Sequence, residues 1–121
     1  RHDERGIRVD KLTAVLDIGR VVNLDIARQQ VEGGLLFGLG LARGQSTAYA
    51  DGLPLSGRLS QLGLPLLVDC PEIEIEFIEG DAPPFDPGEL GVAVAAPAIA
   101  NALYSAGSTR MHTLPLTGEL A

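Results

Sequence analysis

The chain has 121 residues, of which 45% are hydrophobic and 21% charged, and this composition predicts one globular domain with a modest core. Its net charge of -7 at pH 7 disfavours nucleic acid or an anionic membrane as a partner, because both attract clustered lysine and arginine. The single cysteine, Cys70, excludes an intramolecular disulfide, and we expect it to be a buried, inert thiol. His2 and His112 lie too far apart in the sequence to suggest a zinc site with it.

The chain contains no apolar run of the ~20 residues that a membrane span requires. The sequence therefore predicts a soluble protein. It does not distinguish a cytoplasmic protein from a periplasmic one.

The first half of the chain predicts a strand followed by a long helix. Residues 9–18 are apolar at alternate positions, and Val15 adds an apolar side chain on the other side, which predicts a strand buried on both faces. Asn23 is a suitable N-cap for a helix that runs to about Ala42 and ends at Gly44.

This helix contains glycines at positions 33, 34, 38 and 40. Each glycine in a helix interior costs up to about 1 kcal/mol relative to alanine. Close packing against another element would offset the cost, and so would a flat ligand that approaches the backbone. The residues alone favour packing.

The second half predicts strands, one further helix and a last strand. Residues 45–57 form a hairpin around Asp51-Gly52, and residues 72–78 alternate cleanly as a strand with one wet face. A helix is expected from near Pro97 to Gly107, followed by an edge strand over residues 110–116. The order β-α-β-β-β-α-β predicts an α/β (α+β) fold, a two-layer sandwich in which two helices cover a mixed sheet.

Glu89 lies between two glycines at the entrance to an uncharged, alanine-rich segment. A carboxylate held partly out of water at such a place is suited to act as a general base. An exposed glutamate that favours the following helix through the helix dipole would show the same pattern. The residues alone favour this second interpretation.

Two segments together resemble a known family. The first is Gly19-Arg20-Val21-Val22-Asn23 followed by Gln30-Val31-Glu32-Gly33-Gly34, and the second is Gly88-Glu89-Leu90-Gly91 followed by Ala96-Pro97-Ala98-Ile99-Ala100-Asn101-Ala102. In this order they resemble the C-terminal part of the molybdopterin-binding subunit of the xanthine dehydrogenase and aldehyde oxidase family, of the isoquinoline 1-oxidoreductase beta-subunit type. The resemblance implies that residues 1–121 form a single C-terminal cofactor-binding domain of a larger subunit.

The resemblance also implies roles for particular residues. Glu89 corresponds to the family's general base, which stands beside the molybdenum during oxidation of an aldehyde or N-heterocycle. Gln30 corresponds to a glutamine that contacts the pterin. The glycines implied to lie against the cofactor are Gly33, Gly34, Gly88 and Gly91.

The implied cofactor is molybdopterin in its cytosine dinucleotide form, with iron–sulfur clusters in a partner subunit or domain. The isolated chain is expected to bind no molybdenum, and to expose apolar surface and self-associate where the rest of its subunit would pack. The alternative is a non-catalytic binding or assembly domain of the same fold, in which Glu89 only caps a helix and the glycines serve packing.

Overall fold

The computed structural model describes residues 2–3 and 6–116, which form two helices and six short strands. The strands are β1 (His2–Asp3), β2 (Gly6–Ile7), β3 (Lys11–Leu16), β4 (Tyr49–Ala50), β5 (Leu53–Pro54) and β6 (Glu72–Phe77), and the helices are α1 (Leu24–Arg43) and α2 (Leu90–Ser105). They pair as three two-stranded sheets: β1-β2 and β4-β5 are antiparallel, and β3-β6 is parallel. The predicted α/β class is confirmed.

The parallel pair forms one layer and the helices form the other. Strands β3 and β6 pair along their whole length, from Lys11 opposite Glu72 to Leu16 opposite Phe77. The inner side chains of both strands pack against Val31, Leu35 and Ala95 of the helices; these inner residues are Leu12, Ala14, Leu16, Ile73, Ile75 and Phe77. Burial of β3 on both faces was predicted wrongly, because the helices cover one face only and Val15 is 59% exposed.

Helix α1 has the bounds that its end signals predicted. The Asn23 side chain accepts a hydrogen bond of 3.0 Å from the backbone N–H of Ile26, which satisfies one unpaired donor of the first turn. At the other end Gly44 takes a left-handed conformation, with φ of 107°, and its N–H reaches the carbonyls of Gly40 and Leu41.

Helix α2 begins at Leu90, a full two turns before the predicted start at Pro97. Proline removes the helical donor to the carbonyl four residues earlier, here Ala93. Both residues lie on the exposed side of α2, where water can hydrogen-bond that carbonyl. The alanine-rich sequence then outweighs the proline. Ile99 and Leu103 are buried as the helical spacing predicted.

Two further predictions are corrected. Residues 110–116 do not form the predicted edge strand; they are irregular and pair with no described strand. Leu116 holds this segment against α1, because its side chain is buried and its N–H donates to the Ala42 carbonyl at 2.8 Å. Cys70 is exposed, because it follows a short 3₁₀ turn, Leu67–Asp69, at the surface. Neither helix of the described chain is long and apolar enough to cross a membrane.

Candidate functional site

The two helices cross where the segment from Gln30 to Gly34 meets the segment from Gly88 to Gly91. A Cβ atom added at Gly91 would lie 2.6 Å from the backbone nitrogen of Leu35 and 2.8 Å from the carbonyl oxygen of Val31. Real side chains do not come that close to backbone, so the crossing requires glycine at position 91.

The α1 side of the crossing is also made of glycine. A Cβ atom at Gly34 would lie 3.1 Å from the Gly88 carbonyl oxygen, and one at Gly38 would lie 2.7 Å from the Cβ of Ala95. A spacing of four residues places small side chains on one face of each helix. We call Gly34, Gly38, Gly91 and Ala95 the helix crossing; close packing explains its glycines.

The loop before α2 is fixed to the loop before α1. The N–H of Arg20 donates to the Ala82 carbonyl at 2.9 Å, and the N–H of Phe85 donates to the Ile18 carbonyl at 2.9 Å. Further along, the Asp86 carboxylate accepts a hydrogen bond of 2.9 Å from the N–H of Gly88. These bonds hold the Gly-Glu segment in place at the start of α2.

Gln30 and Gly88 lie side by side at the surface. A Cβ atom at Gly88 would be 3.5 Å from the side-chain oxygen of Gln30, and the Gln30 side chain is exposed. One turn further along α1, Gly33 is exposed, and nothing lies within 4 Å of its Cβ position. We call Gln30, Gly33, Gly88 and Glu89 the open strip.

Glu89 is exposed at the N-cap position of α2, and its side chain makes no capping hydrogen bond. Within the described part of the chain it also has no ion pair. The expected partial desolvation of this carboxylate is therefore not supplied by the described residues. A free carboxylate in this position can accept a proton from a group that is brought to the strip.

The open strip combines an amide side chain, two glycines and a carboxylate on one accessible surface. An amide offers both donors and acceptors, and glycine lets a ligand reach the backbone. Gly33 is informative because glycine is less favourable than alanine inside a helix, and no neighbouring atom would clash with a side chain at this position. The strip fits a flat ligand with hydrogen-bonding edges.

A hollow of about 730 Å³ opens at the N-terminal end of α1. Arg20 and Arg28 line it, together with the acidic Glu76, Glu79 and Asp81. The arginines attract anions and the acids repel them, so the mixed charge selects no class of ligand. Arg28 lay outside the motifs that identified the open strip.

Comparison with known proteins gives an independent view of the chain. Residues 3–71 match the sequence profile of a family described as the molybdopterin cofactor-binding domain. The matched range contains Gln30, Gly33 and Gly34 and ends before Gly88.

Curated relatives cover most of this chain. Membrane-bound aldehyde dehydrogenase [pyrroloquinoline-quinone] of Gluconacetobacter polyoxogenes is 34% identical over 110 residues, which is 91% of this chain and 14% of the relative. Aldehyde oxidoreductase molybdenum-binding subunit PaoC of Escherichia coli K12 is 33% identical over 119 residues, 92% of this chain and 16% of the relative. Isoquinoline 1-oxidoreductase subunit beta of Brevundimonas diminuta is 27% identical over 118 residues, 98% of this chain and 15% of the relative.

The fold has solved counterparts. The crystal structure of quinoline 2-oxidoreductase from Pseudomonas putida 86 matches with a TM-score of 0.71 and 27% identity, over 90% of this chain and 15% of that one. The predicted resemblance to molybdenum-binding subunits is thus confirmed. This chain spans only 14–16% of the length of the three curated relatives.

Proposed function

This chain belongs to the molybdopterin cofactor-binding domain family, and we propose that it forms part of the active site of a larger molybdenum hydroxylase that oxidises aldehydes or N-heterocycles. The relatives include an aldehyde oxidoreductase and an isoquinoline oxidoreductase, which supports this substrate range. Because the chain spans 14–16% of those relatives, most of the active site would come from the rest of the subunit.

Glu89 is proposed as the catalytic general base. The observation that carries the proposal is the open strip, which brings Gln30 and the Gly-Glu segment together from places 58 positions apart, counted from Gln30 to Gly88. Glu89 is exposed and makes no capping hydrogen bond, so its carboxylate is accessible to a group brought to it by the rest of the subunit. The rest of the subunit would supply the desolvation that makes a carboxylate an effective base at neutral pH.

The molybdenum cofactor, when bound, supplies the two-electron oxidation. Gln30 would hold its pterin by hydrogen bonds from the side-chain amide, and Gly33 would let the pterin reach the α1 backbone. Gly34 and Gly91 would act indirectly, because their contact sets the position of Gly88 and Glu89 against α1.

The cofactor is proposed to be the cytosine dinucleotide form of molybdopterin, with iron–sulfur clusters in a partner subunit that receive the electrons. Such clusters are held by several cysteine thiolates, and this chain has one cysteine. Acid release and chromatography of the cofactor would identify the nucleotide. Pyrroloquinoline quinone in place of molybdopterin would contradict the assignment.

The test is Glu89→Gln in the full-length subunit, with turnover measured on aldehydes and N-heterocycles and an artificial electron acceptor. Loss of a general base should lower the rate by about 10²–10⁴-fold. Glu79→Gln is the matched control, because Glu79 is an exposed carboxylate outside the strip. Molybdenum content should equal that of the wild type in both variants.

Full activity in Glu89→Gln, with normal molybdenum, would overturn the catalytic role. The chain would then act as a non-catalytic binding or assembly domain. Loss of molybdenum together with activity would assign Glu89 to cofactor retention and would equally contradict a role as base.

A further inference from the structure

The outer edge of β3 is open. The Leu16 carbonyl accepts the N–H of Ile78, so the backbone groups of Leu16 face β6. Backbone groups alternate in direction along a strand, and those of Lys11, Thr13 and Val15 therefore point away from β6. Within residues 6–116 no hydrogen-bond partner is found for these outward groups. Such an edge is a template for a further strand.

Beside this edge lies a groove whose other wall is α2. Two adjoining hollows, of about 620 and 450 Å³, lie between β3 and α2 and share Leu12, Thr13 and Ala98. Helix α2 carries no charged residue from Leu90 to Ser105, and Val94 is 52% exposed on the groove side. From Leu90 to Ala100 every residue of α2 is apolar, and an apolar helix face is normally covered by another element. Because Arg8, Asp10 and Lys11 also line the larger hollow, it is the α2 wall of the groove that suits apolar side chains.

The short β1–β2 hairpin at the start of the described chain indicates which segment of the subunit would occupy the groove. Strand β1 pairs antiparallel with β2, His2 opposite Ile7 and Asp3 opposite Gly6. Ile7 and the residues that follow it line the larger hollow as far as Thr13. A continuation of β1 toward the N-terminus, kept antiparallel, would run along the same path and meet the open edge of β3.

We propose that the β3–α2 groove is the docking site for an extended strand that continues β1 in the longer subunit. The strand pairs antiparallel with β3 through the outward groups of Lys11, Thr13 and Val15, and alternate apolar side chains enter the groove against α2. This inference rests on the proposed function, in which the chain is part of a longer subunit. The chain spans 14–16% of its relatives, so a subunit of their length has further residues that could form the strand.

A photo-cross-linking experiment on the full-length subunit tests the proposal. The photoreactive residue p-benzoyl-phenylalanine replaces Ala98, which lines both hollows. The matched control places it at Tyr104, which is exposed on the same helix, lines neither hollow and contacts Arg110 instead. After irradiation, mass spectrometry should find position 98 joined to the segment directly before Arg1, and position 104 not joined to it.

Cross-links from position 98 to a distant segment, to a second copy of the subunit, or to nothing would each overturn the proposal. Hydrogen exchange on the unmodified subunit gives a second readout that needs no substitution. The amides of Thr13 and Val15 should be protected at least tenfold, like those of Ala14 and Leu16, and free exchange would contradict a docked strand. Neither readout depends on turnover, so failure of the catalytic role of Glu89 would leave this test intact.

Discussion

The helix crossing and the open strip both contain glycine, and packing explains Gly91 at the crossing but not Gly33 at the strip. At the crossing, a methyl group on Gly91 would meet backbone atoms at 2.6 Å and 2.8 Å, so glycine is required by packing. At the strip, a methyl group on Gly33 would meet nothing within 4 Å, so packing requires no glycine there. Glycines of the two helices can thus be distinguished by what an added side chain would touch.

Substitutions in the two regions should therefore change different quantities: the stability of the fold at the crossing, and cofactor binding at the strip. Substitution at the crossing should change the stability of the fold. Substitution of Gly33 in the strip should leave the fold intact or strengthen it, and change only what binds there. The two quantities can be measured separately, by denaturant unfolding of the chain and by the molybdenum content of the full-length subunit.

The largest expected effect is that of Gly91→Ala. The added methyl group meets the Leu35 nitrogen and the Val31 carbonyl, and backbone cannot rotate aside, so the helices must separate. Overpacking of this kind costs about 1–3 kcal/mol of unfolding free energy. Urea unfolding monitored by circular dichroism measures the loss, with the exposed Ser105→Ala as the control. An unchanged urea midpoint would show that α1 and α2 have room for a methyl group at position 91, which would contradict the close crossing.

Gly34→Ala should have a smaller effect because two terms oppose each other. The methyl group would lie 3.1 Å from the Gly88 carbonyl oxygen, a tight contact that a small shift can relieve. Alanine also improves helix propensity by about 1 kcal/mol. The unfolding free energy should therefore change by less than in Gly91→Ala, under the same conditions. A loss equal to that of Gly91→Ala would place the two glycines in one rigid contact.

The smallest effect is expected on the wet face of the sheet, away from both regions. The Lys11 ammonium lies 2.6 Å from the Glu74 carboxylate, and this hydrogen bond, with help from Glu72, raises the pKa of Lys11. Because the folded pKa exceeds the unfolded one, the stabilisation is present below the unfolded value of about 10.4 and is lost as pH rises through the folded value.

Glu74→Gln should therefore weaken the fold slightly at neutral pH, and the difference from wild type should vanish once Lys11 is deprotonated. The pair is exposed, and exposed pairs contribute little. Urea midpoints at neutral and strongly alkaline pH measure it. A difference that persists unchanged in alkali would mean that Glu74 acts through packing.

Local signals determined much of the fold in advance. Asn23 and Gly44 fixed both ends of α1, because capping chemistry is local, and the alternation of residues 72–78 gave β6 to within one residue. The start of α2 was missed because Pro97 is a strong local breaker whose cost depends on whether water can reach one carbonyl. The exposure of Val15 was missed because alternation cannot show how many faces of a strand are covered.

The site was only partly predictable for the same reason. The residue types of the open strip were found by resemblance, and Gln30 and Glu89 remain proposals for cofactor contact and catalysis. Nothing local to Gly33 or Gly34 distinguishes them, because the distinction depends on where α2 crosses α1. Only the structure shows that Gly34 packs against α2 and that Gly33 is accessible at the surface.

The measurement that tests this separation most directly is Gly33→Ala, compared with wild type in both readouts. Alanine at an open helical position should raise the unfolding free energy of the chain by about 0.5–1 kcal/mol. If Gly33 lies against the cofactor, the same methyl group should lower the molybdenum content and turnover of the full-length subunit. A stabilised fold with reduced molybdenum is the predicted result. A stabilised fold with full molybdenum and full turnover would contradict the assignment of the open strip to the cofactor.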